Sequence, residues 1–62
     1  MTNTLFIKIW KKDNVKRFAL CVNLGYRIVY LSFDKYVIAE ILNKPLSALY
    51  DLEEGVNVLC NF

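Results

Sequence analysis

Two runs of this chain carry an apolar alternation on both parities at once. In Thr4 to Lys11, Leu5, Ile7 and Ile9 alternate with Phe6, Lys8 and Trp10, the two-residue rhythm of a strand. From Val15 to Leu24, Phe18, Leu20, Val22 and Leu24 alternate with Ala19, Cys21 and Asn23. A sheet with one wet face should show polar residues on one parity. Here Phe6, Trp10, Ala19 and Cys21 occupy the parity where they are expected.

The remaining elements follow from punctuation. Lys12-Asp13-Asn14 is a turn cluster, so the first two runs form a hairpin. Gly25 interrupts a β-rich stretch from Val15 to Leu31. A turn at Asn23-Leu24-Gly25-Tyr26 and a bulge in one long strand both fit, and the turn is preferred because the stretch far exceeds a typical strand. Ser32 and Asp34 are N-cap candidates, and Val37, Ile38, Ile41 and Leu42 make an apolar stripe, so a helix is expected from about Asp34 to Asn43. Pro45 breaks it. Ser47 is expected to cap a short helical turn through Leu52, and Val56, Val58, Cys60 and Phe62 alternate in a last strand. The fold class is α+β in β-β-β-α-β order: residues 1–62 as a single domain, with a small antiparallel sheet of three to four strands and one main helix plus a short helical turn on one face.

One helix covers one face of a sheet. With Leu5, Ile7, Ile9, Phe18, Leu20, Val22, Val56, Val58 and Phe62 placed beneath it, Phe6, Trp10, Ala19, Cys21 and Leu59 fall on the other face. One parity of strand three joins them, either Tyr26/Ile28/Tyr30 or Val29/Leu31. Such a patch exceeds what soluble monomers leave bare. Self-association is therefore expected, a dimer first, with Phe6, Trp10 and Cys21 as interface residues. Size agrees: a chain of 62 residues buries only about 60% of its unfolded surface and commonly needs a metal, a disulfide or a partner. With no histidine and only Cys21 and Cys60, one chain cannot supply four zinc ligands, and the two cysteines read as buried free thiols of a cytoplasmic protein. No cofactor is expected, and no apolar run reaches membrane-spanning length.

The same absences argue against an enzyme: there is no histidine, Gly-rich phosphate loop or nucleophile elbow. The weak ligand candidate is Asn23, Gly25, Tyr26 and Arg27, where a glycine turn exposes N–H groups, Arg27 can fork onto an anion and Tyr26 can stack. Lys8, Lys11, Lys12, Lys16 and Arg17 gather on the first hairpin, while acids gather near the C-terminus. Edge protection and an anion contact both account for them. Eight Lys+Arg against six Asp+Glu give +2, short of a strongly basic nucleic-acid binder.

Ile38 to Asn43 followed by Leu46 to Glu53 resembles the helix-turn-helix of bacterial DNA-binding regulators, with Ala39, Asn43, Ser47 and Leu49 at matching positions. The resemblance implies a second helix that reads DNA. That helix here carries Asp51, Glu53 and Glu54 where Arg, Lys, Gln or Asn would face bases and phosphates. The leading expectation is a non-enzymatic homo-oligomer that sequesters a protein or small anionic ligand. Its small size and its Lys/Ile/Asn/Tyr-leaning composition fit an accessory or inhibitor of a phage or mobile element. The alternatives are a nucleic-acid-binding or transcriptional accessory protein using the basic hairpin, and a subunit of a larger complex.

Overall fold

The computed structural model describes residues 2–62. Strands β1 (Thr4–Lys12), β2 (Val15–Asn23) and β3 (Ile28–Ser32) precede helices α1 (Lys35–Leu42) and α2 (Leu46–Tyr50), and β4 (Gly55–Asn61) ends the order. The sheet is antiparallel, in the order β3-β2-β1-β4. The α+β architecture expected from the sequence is the one observed.

Local chemistry explains the corners. Asp13 and Asn14 take φ of 56° and 62° and join β1 to β2 in a two-residue turn whose closing pair is Lys12 and Val15. Two left-handed residues match the twist of the flanking strands. The Gly25 region is a turn: the Leu24 N–H donates to the Arg27 carbonyl at 2.9 Å and Gly25 sits at φ 92°. Asp34 caps α1, accepting from the N–H groups of Tyr36 and Val37, and Asn43 closes it at φ 54°. Pro45 is the N-cap of α2, so Ser47 lies inside that helix and does not cap it. Proline suits a helix start because its missing N–H would have no intrahelical acceptor there.

Topology decides which face is covered. β3 and β4 are opposite edges, so the α1–α2 connection must cross the sheet, a width of roughly 14 Å at the usual strand spacing. Both helices thus lie on one face. Ile7, Ile9, Phe18, Leu20, Ile38, Ala39 and Leu49 form the core between the layers, flanked by Leu5, Leu42, Leu46, Leu52 and Leu59. Of the expected helical stripe, Ile38 and Leu42 face inward, whereas Val37 and Ile41 remain exposed, because an eight-residue helix lying on a sheet buries a narrow stripe.

The last strand is where the sequence expectation fails. Val56 pairs with Lys8 and Val58 with Phe6, which puts both valines on the open face, 62% and 60% exposed. Leu59 packs on the helix-side core, and Phe62 is exposed. The cause is a register shift opposite Leu5 and Phe6: a bulge breaks the two-residue alternation, so parity cannot be carried across it.

Candidate functional site

Directly paired residues of neighbouring strands share a face, so the register defines the uncovered face row by row. One row runs Tyr30–Cys21–Phe6–Val58, and the next holds Ala19, Lys8 and Val56, followed by Arg17 beside Trp10. At the far end Ile28 pairs with Asn23. Phe6, Ala19 and Cys21 form a second small cluster against which Trp10 packs. Phe6 is 8% exposed and Cys21 wholly buried, so the surface this face offers to a partner comes from Trp10, Ile28, Tyr30, Val56 and Val58.

The basic hairpin divides by the same parity. Lys8, Lys12 and Arg17 point to the open face, and Lys11 and Lys16 to the helix side. Lys16 Nζ donates to the carbonyls of Tyr50 and Leu52, 2.7 Å each, and so satisfies acceptors left over where α2 ends. Its role is therefore structural. Phe18 meets the Tyr50 ring edge-on at 5.2 Å. Lys35 Nζ donates to the Tyr50 hydroxyl at 2.8 Å, a contact that raises its pKa.

Around Trp10 the open face is hollowed. A cleft of about 450 Å³ is lined by Lys8, Trp10, Tyr30 and Phe33, and a second groove, sharing Trp10 and Phe33, passes Arg17 and continues around the stretch of β2 that β3 leaves unpaired to Lys16, Phe18 and the first turn of α1. Tyr30 and Phe33 stack, with ring centroids 5.4 Å apart and planes 18° apart. Parity in the sequence puts Trp10, and on one alternative Tyr30, on this face but leaves out Phe33, which lies between the N-cap candidates Ser32 and Asp34; the bulge between the Leu20 and Cys21 pairings that brings it beside Tyr30 leaves no mark in the residue pattern.

The turn at Asn23, Gly25, Tyr26 and Arg27 has different chemistry from the expected amide-lined nest. Asn23 Oδ1 accepts the Gly25 N–H at 2.8 Å and the Leu24 N–H is used by Arg27, so the loop spends these donors on itself. Tyr26 and Arg27 are exposed, at the end of the sheet opposite Trp10 and Arg17. The helix-turn-helix likeness also ends with the sequence. α2 has five residues, and Leu49, which it inserts into the core, is 1% exposed.

Neither thiol pairs with the other. Burial raises the Cys21 thiol pKa, partly offset by Lys8, whereas Cys60, expected to be buried, is exposed on the edge strand beyond the β4 bulge. Ionisation of Cys21 therefore favours the unfolded chain: its contribution to stability is complete below the ordinary thiol pKa and declines as pH rises past it. Iodoacetamide at neutral pH is expected to add one label, at Cys60, with a second only in denaturant. Intact-mass spectrometry reads this directly, and two labels on folded protein would contradict the burial of Cys21. Among the described residues no three metal-ligating side chains cluster, and no helix is long and apolar enough to cross a membrane. Comparison with family models, curated proteins and solved structures returns no match to this chain.

Proposed function

We propose that this chain is a non-enzymatic binding protein that works as a homodimer joined through the outer edge of β4, with the open sheet face as its working surface. The observation that carries the reading is the state of that edge. In the two-residue hairpin the closing pair exchanges both backbone bonds, so even-numbered residues of β1 bond to β2 and odd-numbered ones to β4. The paired bonds between Asn3 and Phe62 follow that alternation. The backbone groups of Val56 and Val58 consequently face outward. β4 is seven residues long, Gly-Val-Asn-Val-Leu-Cys-Asn, and has none of the lysines, prolines or other charges that usually blunt an edge. Two strongly exposed valines flank the unpaired backbone.

Antiparallel pairing of β4 with its own copy would satisfy the edge, cover the valines and supply the apolar burial that a domain of this size lacks. The two open faces would then lie side by side, suited to sequestering an anionic ligand or a macromolecule. Light scattering at micromolar concentration is expected to give twice the 7.3 kDa chain mass. The Val56→Lys/Val58→Lys double variant should give the chain mass with unchanged circular dichroism, since both side chains lie outside the core. A monomeric parent, or a double variant that keeps the parent mass, would refute the dimer.

A further inference from the structure

We infer that the Lys8–Trp10–Tyr30–Phe33 cleft and the groove leading from it to Arg17 form a stacking platform for single-stranded nucleic acid. The inference takes the open face as the working surface and does not depend on the dimer. Charge is the first support. The strand positions on the open face include Lys8, Lys12 and Arg17 and no carboxylate. The acids lie elsewhere: Asp13 in the hairpin turn, Glu40 on α1, and Asp51, Glu53 and Glu54 after α2. Asp34, at the groove's rim, is occupied by the α1 N-terminus. The helix side carries Lys11, Lys16, Lys35 and Lys44 alongside its acids, so the open face, with cations and no strand carboxylate, is the side toward which a polyanion orients.

Aromatic chemistry is the second support. Tyr30 is 52% and Phe33 62% exposed, and they already form one stacked pair beside Trp10, at the volume of a small-ligand cleft. Base stacking on aromatic planes, with cations tracking the phosphates, is how sequence-tolerant single-strand binders work. Duplex DNA fits poorly, because this face has no helix or ribbon to enter a groove. Face-to-face packing of two copies is disfavoured here, since it would bring the same three cations together.

The test is titration of the full chain with oligothymidylate at low salt, followed by the emission of Trp10, the chain's one tryptophan, and by anisotropy of a labelled strand. Saturable quenching is expected, with affinity falling against salt at a log–log slope of about −2, from three phosphate contacts at roughly 0.7 each. Tyr30→Ala should weaken binding about 5- to 150-fold, the loss of one base stack. Lys8→Ala, a surface change that leaves folding intact, should reduce the slope by about 0.7. Absence of quenching, binding unaffected by Tyr30→Ala, or equal affinity for an acidic peptide would overturn the inference. A monomer that binds the strand removes the dimer and keeps this site, and a dimer that does not bind does the reverse.

Discussion

Leu20→Ala is expected to remove most of the stability of this domain. Leu20 is fully buried at the centre of the layer between sheet and helices, among Ile7, Phe18, Ile38 and Leu49. Truncating a buried leucine costs about 2–5 kcal/mol, through lost transfer energy and the cavity left behind. A 62-residue chain has a total of only about 3–9 kcal/mol at usual per-residue stabilities. The variant should therefore lose half or more of its urea midpoint, or be unfolded at 37 °C, as read by circular dichroism. Val58→Ala is the matched control. Its side chain is 60% exposed, and a change within about 0.5 kcal/mol is expected for the monomer. Equal losses for the two variants, both measured at concentrations where the chain is monomeric, would mean that the register of β4, and with it the assignment of the open face, is wrong.

Lys16→Met should destabilise by about 1.5–3 kcal/mol, the range for hydrogen bonds made by a charged group. Methionine keeps the apolar stem of lysine but cannot donate to the Tyr50 and Leu52 carbonyls, which Lys16 binds at 2.7 Å each. α2 has five residues and a proline N-cap that makes no side-chain bond, so it depends on contacts from outside itself. The loss should appear in urea unfolding. Hydrogen exchange should speed up first at Tyr50 to Leu52, and Lys16→Arg should recover part of the stability. Lys11→Met, on the same face but exposed, should change stability by less than about 0.5 kcal/mol. An indistinguishable pair would remove the strut and return Lys16 to the general basic charge of the hairpin.

These variants also separate two meanings of the basic cluster. Lys8, Lys11, Lys12, Lys16 and Arg17 look equivalent along the sequence, yet pairing sends three to a bare aromatic face and two to the helix side. Residue type alone could not have made that division. The hairpin register, once the Asp13-Asn14 turn is placed, does make it.

Short-range rules fixed most of the local elements, the N-cap of α2 excepted, where Pro45 stands in place of Ser47. The two-residue rhythm gave β1 and β2, the Asp13-Asn14 pair their turn, Asp34 and Asn43 the ends of α1, and Pro45 the break before α2. Parity also placed Phe6, Trp10 and Cys21 opposite the core, because no bulge intervenes between β1 and β2. Contacts between strands set the rest. Bulges against β1 and β2 reset the parity of β4 and β3, turning Val56 and Val58 outward, drawing Leu59 inward and bringing Phe33 beside Tyr30. A bulge adds one residue to one strand in answer to its neighbour's geometry. The chain-local pattern therefore has no way to announce it, and the face most open to a ligand was legible only where the alternation ran unbroken.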